Sequence, residues 1–388
     1  MKTKAMVTVG ILTCRAPDEQ GRPFGPPTGF FEECCEAAAA LDLRAVVFDA
    51  TDVDAAQGTV SPATVEEGRW VECGPELWRA VIYDRAPVID PAGARAADRT
   101  RNLFDRSGIP FVNPGSFVRL AVDKLEMHRR LADAGLALPH TGNLDAYALR
   151  AFLARYDHVY VKPRVGSLGT GVMEIVRTAG GRQVIRTLDA TYETRGAGPA
   201  MDRIMALTAE ARAEPMGCLV QQGISAEPAG ERRFPRFDLR LLMQKNGQAR
   251  WDLTGLAARV GQTSGPTTKL SNGARSEEAE PVLDALYGRL RRKEILRRAE
   301  EASFAACRLL DTELGPIGEV GLDIVPDLAG LPWIIEINAR PGRNVFRRIA
   351  RSADVPAPSR QRYGAIRRRS VARPFEYAKA LAEIGISA

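Results

Sequence analysis

Residue types that suit phosphate binding are concentrated in one glycine-rich segment, Lys162 to Gly171 (KPRVGSLGTG). Three glycines and two hydroxyl residues within six positions let backbone N–H groups approach phosphate oxygens without clashes from Cβ atoms. The order G-x-x-G-x-G between two predicted strands does not match the Rossmann fingerprint, and the Gly-Lys-Ser/Thr of a P-loop is absent. We interpret the segment as a hairpin flap over phosphates with Lys162 at its base. An ordinary glycine-rich turn is the alternative.

Oxygen ligands for a metal ion are predicted towards the end of the chain. Glu336 and Asn338 lie two positions apart in the apolar run WIIEIN, so on a strand they face the same side. Asp323 lies on the preceding predicted strand and can project from that face, and Glu319 shares its alternation as a weaker candidate. Carboxylate and amide oxygens suit Mg²⁺, and a buried strand has little reason to carry them unless they bind something. The alternative is a sheet edge with solvated acids.

Two further motifs add positive charge. Asp238 and Arg240 share a strand face, where a carboxylate can orient a guanidinium that stabilises phosphoryl or acyl-phosphate charge. A surface ion pair is the alternative. Lys124 lies early in a predicted helix and, taken alone, is typical of a solvated helix lysine.

Together these residues form the inventory that phosphoryl transfer requires: cations and a flexible flap for phosphates, an arginine for developing charge, and oxygen ligands for Mg²⁺. Other chemistries lack their residues. The chain of 388 residues has three histidines without evident partners and six cysteines without a C-x-x-C pair, which argues against a zinc site. No Ser/His/Asp or Cys/His arrangement competes. A long chain without a disulfide framework is typical of the cytoplasm.

Composition limits the class of protein. The net charge of +6 permits an anionic ligand but does not indicate nucleic acid. No apolar run approaches the roughly 18 residues of a membrane span. The segment from Arg340 to Arg373 holds eleven arginines and one acidic residue, Asp354. It is interpreted as a solvated surface segment whose first arginines serve a site, with a polyanion-binding strip as the alternative.

Several elements must position these motifs. Alternating strands and helices in the first third predict a parallel α/β unit, and Tyr83-Asp84-Arg85 ends one strand, where ligands gather in such sheets. The predicted strands of this unit span 5–13, 44–48, 78–83 and 108–113, and its helices span 30–41, with Glu32 and Glu33 in the first turn, and 95–107. Farther on, helices are predicted over 117–134, the second half of 187–213, and 281–310. Strands are predicted over 158–162, 172–176, 218–222, 237–244, 249–260, 319–325 and 333–338, with Asn246-Gly247 as a hairpin turn.

The order of these motifs resembles the ATP-grasp superfamily: DK…LPHT, VKPRVGSLGTG, LVQQGI, FDLR, EVGLD and IIEINARPGR. Longer stretches resemble, more narrowly, the YheC/YheD family of ATP-grasp proteins: LWRAVIYDR, RFDLRLLMQKNGQARWDLTGLAARVG, EVGLDIVPD and EINARPGRNVF. The resemblance implies an α/β (α+β) fold of the ATP-grasp type in three parts. These are a Rossmann-like N-terminal pre-ATP-grasp domain (1–112), an ATP-grasp N-terminal part with a lid (113–222, the lid over about 141–220), and a C-terminal part with the metal site and the arginine-rich tail (223–388).

The resemblance also implies roles, carried over by position. Asp323, Glu336 and Asn338 are expected to bind the metal, and Arg240, Asp238 and Arg340 to be catalytic. Gln222 stands where many members have Glu, and the KLSNGA loop with Asn272 departs from the family's usual sequence. Expected ATP-binding residues are Lys124, Lys162, Gly166, Ser167, Leu168, Gly169, Thr170, Gly171, Gln221, Gln222, Gly223, Ile224 and Asn272. Arg340 and Arg343 are expected to hold a substrate carboxylate, and other expected substrate residues are Arg259, Arg85 and Gly29, the last two by position alone.

The implied activity is an ATP- and Mg²⁺- (or Mn²⁺-) dependent ligation of a carboxylate to an amine. An acyl phosphate is the intermediate, ADP and phosphate are the products, and a closing lid keeps the acyl phosphate dry. Expected partners are a small-molecule or peptide carboxylate and an amine, without membrane or nucleic acid; a homodimer is compatible with the sequence. Two alternatives stay open: a kinase-like phosphotransferase, and a non-catalytic nucleotide-binding, coat-associated protein. Retention of Arg240 and the three metal-ligand candidates argues against the second.

Overall fold

The computed structural model describes residues 6–78, 80–87, 91–132, 134–166, 169–210, 217–228, 234–262 and 265–386. These residues form nine α-helices and four β-sheets. The mixed α/β class predicted from the sequence is confirmed. Three of the sheets follow one another along the chain, and we call them the N-terminal, middle and C-terminal sheets.

The N-terminal sheet has the order β6-β5-β2-β1-β8, with β1 parallel to both β2 and β8, as the alternation of strands and helices predicts. A small sheet, β3-β4-β7, lies beside it. The elements of this part are β1 (Thr8–Thr13), α1 (Thr28–Ala39), β2 (Arg44–Asp49), β3 (Val53–Asp54), β4 (Thr59–Val60), β5 (Ala63–Glu66), β6 (Arg69–Glu72), β7 (Glu76–Leu77), β8 (Ala80–Asp84) and α2 (Pro91–Arg106).

Two local predictions for this part were wrong, and five short strands were missed. Helix α1 begins at Thr28, so Glu32 and Glu33 lie beyond its first turn. The segment 108–113 makes an isolated bridge between Phe111 and Ile82 instead of a strand. The five short strands β3 to β7 were not predicted, because two- to four-residue strands carry too little alternation to read.

The middle sheet has the order β13-β12-β11-β10-β14-β9. The helix predicted over 117–134 is two helices, because Asp123 has extended backbone and its carboxylate accepts hydrogen bonds from the N–H groups of Leu125 and Glu126. The elements are α3 (Gly115–Val122), α4 (Lys124–Ala132), β9 (Thr141–Asn143), α5 (Ala146–Arg155), β10 (His158–Pro163), β11 (Met173–Arg177), β12 (Arg182–Arg186), β13 (Thr191–Arg195), α6 (Ala197–Glu210) and β14 (Cys218–Gln222).

The C-terminal sheet is antiparallel, with the order β17-β16-β15-β18-β19. Leu239, Leu241 and Met243 of β15 belong to the core that includes helix α7, so the alternate residues Asp238 and Arg240 face the other side. Helix α7 is interrupted at Gly288. The elements are β15 (Phe237–Lys245), β16 (Trp251–Val260), β17 (Arg275–Glu277), α7 (Ala279–Leu314), β18 (Glu319–Pro326) and β19 (Pro332–Asn338).

The arginine-rich tail forms two helices, α8 (Asn344–Arg351) and α9 (Ala357–Ile386). Helix α9 returns to the N-terminal sheet, and its Phe375 and Tyr377 are buried in one core with Val9 and Ile11. Several tail arginines are held by carboxylates of other elements, as in the ion pairs Arg362–Glu278, Arg367–Glu33 and Arg373–Asp252. No helix within the described ranges is long and apolar enough to cross a membrane.

Candidate active site

Four predicted residues share one face of the C-terminal sheet. Asp323 on β18 stands opposite both Arg240 on β15 and Glu336 on β19. Two positions away, Asn338 stands opposite Gly321. Because alternate strand residues point to the same side, this register places all four side chains on one surface.

Ion pairs hold the middle of this surface. Arg240 Nε lies 2.7 Å from Asp323 Oδ1. Arg259 makes two 2.7 Å hydrogen bonds to Asp238 and also lies 2.7 Å from Asp323 Oδ2. The Thr268 hydroxyl donates to Asp238. All four charged side chains are almost completely buried. A buried charge is costly unless it is paired, so the network fixes the position of each.

Lys269 lies between the two carboxylates that were predicted to bind a metal. Its Nζ is 2.8 Å from Glu336 Oε2 and 3.7 Å from Asp323 Oδ2. Burial of Glu336 and the charge of Asp323 oppose ionisation, but the positive charges of Lys269, Lys124 and Lys162 act in the other direction, and the pKa of Glu336 is lowered to about 2. Burial likewise opposes ionisation of Asp323, and Arg240, Arg259 and Lys269 hold its pKa well below the usual range. Both carboxylates are therefore ionised at any physiological pH.

The chemistry of these donors fits a hard divalent cation. Two ionised carboxylates face a common point at which Lys269 already supplies a positive charge, and the side-chain amide of Asn338 lies on the same face. The buried Nδ2 of that amide has no hydrogen-bond partner among the described residues. Oxygen donors of this kind suit Mg²⁺ and Mn²⁺. In the described part of the chain, no group of three or more His, Cys, Asp or Glu side chains is placed to hold a metal, so the amide and other oxygen donors would have to complete the coordination.

The glycine-rich flap lies between β10 and β11 of the middle sheet. Gly166, Gly169 and Gly171 all have positive φ, a backbone conformation that other residues adopt only with strain. At Gly169 a Cβ atom would come within 3.0 Å of Asn272 Nδ2, so the flap touches the loop that carries Lys269. Thr170 is exposed in the flap. Ser167 and Leu168 lie outside the described residues.

Two lysines lie at the base of the flap. Lys162 is buried at the end of β10, and its Nζ donates to Gln221 Oε1 at 2.8 Å. Lys124, at the start of α4, donates to the Gly166 carbonyl at 2.7 Å. Burial lowers the pKa of Lys162 to about 8, with Glu336 opposing that effect and Lys124 adding to it.

Residues 221–224, all of them predicted to bind ATP, begin at the end of β14. The Gly223 N–H donates to the His158 carbonyl at 2.8 Å, and a Cβ at Gly223 would come within 2.3 Å of the His158 ring. Gln222 is held against His140, whose N–H lies 3.3 Å from Gln222 Oε1. The same His158 pairs with Glu174 of β11, which is fully buried. Glu174 also pairs with Arg236, so it joins the middle sheet to the start of β15.

One cleft runs between the middle and C-terminal sheets and contains about 1030 Å³ of empty space, part of it open to solvent. Its lining contains polar groups and also apolar side chains such as Val172, Ile224 and Leu286. The cleft brings together many of the predicted site residues. Among them are the predicted ATP and metal residues Lys162, Gly169, Gln221, Gln222, Ile224, Asp323 and Glu336, the predicted catalytic residue Asp238 and the predicted substrate residue Arg259.

Apart from Arg259, which lines the cleft, the predicted substrate residues lie elsewhere, where β8 meets the end of β19. Arg343 is buried and donates to the carbonyls of Ser370 and Pro341 and to Glu319. Glu319 therefore pairs with arginine, and it also accepts from Tyr83 at 3.0 Å, apart from the two carboxylates beside Lys269. Glu319 has the same strand alternation as Asp323, but it contacts Tyr83 of β8 and Arg85, which follows β8.

Three further predicted residues surround this junction. Arg85 pairs with Glu319 at 3.1 Å and donates to the Pro341 carbonyl. Arg340 lies 3.9 Å from Asp84. Gly29 is exposed in the first turn of α1, next to Phe30, whose ring lies 5.4 Å from the Arg85 guanidinium.

A family model for YheC/D-like ATP-grasp proteins matches residues 108–381, more than half of the chain. The chain belongs to the YheC/D-like ATP-grasp family. This YheC/D-like protein is 29% identical over 384 residues to the endospore coat-associated protein YheD of Bacillus subtilis (strain 168), a match that covers 98% of this chain and 80% of YheD.

Solved structures share the ATP-grasp fold with this YheC/D-like protein. D-alanyl-alanine synthetase A of Vibrio cholerae O1 biovar eltor superposes with a TM-score of 0.55 at 10% identity, over 97% of this chain and 99% of that one. The ATP-grasp ligase PsnB, complexed with a phosphomimetic variant of its minimal precursor, Mg and ADP, superposes with a TM-score of 0.50 at 15% identity, over 94% and 99%. At these identities the likeness establishes the fold.

Sequence reasoning missed three residues of this site. Lys269 lies in an irregular loop, and a single loop lysine carries no periodic signal. Glu174 and Arg236 belong to different sheets, and their contact depends on how those sheets pack. A signal did exist for Glu174, because a carboxylate in the apolar strand VMEIV requires a buried partner.

Proposed function

We propose that this YheC/D-like protein is an ATP- and Mg²⁺-dependent carboxylate–amine ligase that forms an amide or peptide bond through an acyl phosphate. One observation carries the proposal. Asp323, Glu336 and Arg240 occupy a single buried face of the C-terminal sheet, and Lys162 and the flap lie across the same cleft. Phosphoryl transfer needs opposed cations, oxygen ligands and an enclosed site of this kind.

The phosphates would lie between the flap and the C-terminal sheet. Lys162 offers a buried positive charge, and the left-handed glycines leave backbone N–H groups of the flap free of Cβ atoms. The base would occupy the apolar region around Ile224 and Leu286, with backbone contacts from Gln221 to Ile224. The middle sheet would act as the lid that excludes water.

Asp323, Glu336 and Asn338 would hold the metal, with Lys269 displaced from between the carboxylates and free to meet a phosphate. A bound Mg²⁺ would neutralise phosphate charge and align the phosphates with the acid. Asp323 and Asp238 keep Arg240 and Arg259 in place through their 2.7 Å contacts. Because these positions exist before substrate binds, no reorganisation is needed when charge develops.

Arg240 is suited to the reacting group. At Gly321 a Cβ atom would lie 2.7 Å from Pro341 Cβ and 3.4 Å from Arg240 Nη1, so the close packing around this guanidinium leaves no room for a side chain there. In the proposed reaction, a carboxylate oxygen of the acid attacks the γ-phosphorus and ADP leaves. The amine nitrogen then attacks the acyl carbon, phosphate leaves with that oxygen, and the nitrogen loses a proton. Arg240 would stabilise the negative charge of both steps.

The fold neighbours agree with this class of reaction. One is named as a D-alanyl-alanine synthetase, and the ATP-grasp ligase PsnB was solved with Mg, ADP and a variant precursor. We therefore propose an acid, small or peptidic, and an amine as substrates. The relative YheD carries the name of a coat-associated protein, which makes nucleotide binding without turnover the outcome to be excluded.

The test measures ADP, AMP and phosphate release from Mg-ATP with pooled amino acids, short peptides and small carboxylic acids. The proposal expects pool-dependent ADP and phosphate, and a product lighter by one water than its two parts. The variant Glu336→Gln controls for contaminating activity. A product that gains a phosphoryl group would show a kinase, pool-dependent AMP would contradict an acyl phosphate, and ATP binding without any turnover would favour the coat-protein alternative.

A further inference from the structure

Arginines outnumber carboxylates where β8 meets the end of β19. Seven charged side chains meet at this place, which we call the junction cluster. Its members are Arg85, Arg101, Arg340, Arg343, the buried carboxylates Asp84 and Glu319, and the partly exposed Asp98. Asp84 and Glu319 are almost completely buried, so their pairing is obligatory.

The two buried carboxylates are occupied by other partners. Asp84 accepts from Arg101 Nε at 2.7 Å, from Arg101 Nη2 at 3.3 Å and from the Ala86 N–H at 3.0 Å. Glu319 pairs with both Arg85 and Arg343. Asp98 accepts from Arg101 Nη1 at 2.8 Å, so among the described residues no carboxylate of the cluster makes a hydrogen bond to a further arginine.

Arg340 is the further arginine. Its Nη1 is buried and has no hydrogen-bond partner in the described part of the chain, and the nearest acidic atom, Asp84 Oδ1, is 3.9 Å away, beyond hydrogen-bond distance. Burial lowers the pKa of Arg340, Asp84 opposes this, and the neighbouring Arg101 and Arg85 lower it further. The side chain is still 17% exposed, so a ligand can reach it.

Its position links this charge to the proposed chemistry. Arg340 follows the proposed metal ligand Asn338 by two residues, which span at most about 7 Å of chain. It also lies at the carboxyl end of β8, the edge of a parallel sheet where ligands bind. Arg240, beside the proposed metal ligands, meets the reacting carboxylate, so Arg340 is available to another group of the same molecule.

We propose that Arg340 binds a second carboxylate of the acid substrate, so that the enzyme acts on a dicarboxylic acid, an acidic amino acid or an acidic peptide. This inference rests on the proposed ligase function. A substrate carboxylate would supply hydrogen-bond acceptors to the accessible part of this guanidinium and would neutralise the excess charge of the junction cluster. A monocarboxylic acid would leave the largely buried guanidinium without that partner.

The test compares matched acids: glutarate, succinate, glutamate and the dipeptide Glu-Glu, each against its analogue in which one carboxylate is an amide. Binding is measured by calorimetry with a non-hydrolysable ATP analogue and Mg²⁺, and turnover by ADP release with an amine pool. At least one diacid should bind about 30-fold more tightly than its monoamide. Arg340→Gln should remove that difference with nucleotide affinity unchanged, and Arg340→Lys should restore part of it.

Arg351→Gln is the matched control, because Arg351 is exposed on α8, and it should retain the full preference. Equal binding of diacids and monoamides, failure of every diacid to bind, or an Arg340→Gln variant with the wild-type preference would each overturn the inference. ADP formation without a preference for diacids over monoamides would overturn this inference and leave the ligase function standing. Preferential binding of diacids without ADP formation in any pool would overturn the ligase function alone. Thermal melting of each variant confirms that it is folded.

Discussion

The two walls of the cleft are held together by opposite kinds of contact. On the C-terminal sheet, Asp238 and Asp323 each lie 2.7 Å from an arginine nitrogen, and Glu336 lies 2.8 Å from Lys269. Facing them, Lys162 is held by the neutral amide of Gln221 at the base of a glycine flap. The acidic wall is therefore rigid and permanently ionised, whereas the opposite wall carries a charge that can change.

The largest expected effect tests the rigidity of the acidic wall. Arg259→Gln leaves two buried carboxylates without their shared cation and should lower the free energy of unfolding by about 3–5 kcal/mol. Arg182→Gln is the control on the middle sheet, because the Arg182–Glu193 pair is more than half exposed, and it should cost at most about 0.5 kcal/mol. Urea denaturation measures both, and equal losses would remove the contrast between the walls.

Next in size is the loss of a proposed metal ligand. Glu336→Gln should reduce ADP formation by at least about 100-fold, because an amide supplies no charge to the cation, and the fold should persist. Asp354→Asn, at an exposed position, should be indistinguishable from wild type. A Glu336→Gln enzyme with unchanged turnover would refute the metal assignment.

A smaller effect is expected on the opposite wall. Lys162→Ala should weaken ATP binding by about 30-fold, since it removes a charge-assisted contact to phosphate. Calorimetry with a non-hydrolysable analogue measures this directly, and Lys293→Ala, on the exposed surface of α7, is the control. Unchanged nucleotide affinity in Lys162→Ala would contradict the interpretation of the flap.

The smallest expected effect is a pH dependence that belongs to one wall. Burial lowers the pKa of Lys162 to about 8, so its ammonium form is present below that pH and is lost above it. ATP binding requires the ammonium form, and affinity should fall by up to about tenfold from pH 7 to pH 9. Lys162→Met should abolish this slope. The carboxylates should add no slope between pH 5 and 9, because the pKa of Glu336 is about 2.

Much of the acidic wall followed from the sequence, because strand alternation is a local property. Asp238 and Arg240, like Glu336 and Asn338, lie two apart, and the structure places each pair on one face. The register between two strands is less local, because it depends on where the turn between them lies. Arg259 stands opposite Asp238 because the turn of the β15–β16 hairpin lies between Lys245 and Trp251, which sets how the two strands align.

Contacts between distant elements were not predictable in this way. Lys269 reaches Glu336 from a loop without regular structure, and Glu319 shared the alternation of Asp323 but meets Tyr83 of another sheet. The break at Asp123 escaped prediction because the apolar periodicity continues across it. Its backbone is stabilised by its own side chain and by Arg164 from the base of the flap.

Helix α9 has a consequence for biosynthesis. Val371, Phe375, Tyr377 and Ala378 complete the core that begins with Val9 on the first strand. During translation the N-terminal sheet must wait for these residues, with its apolar face uncovered while some 360 intervening residues are made. This part can therefore complete its core only after helix α9 has left the ribosome, and until then the nascent chain is most exposed to proteases and dependent on chaperones.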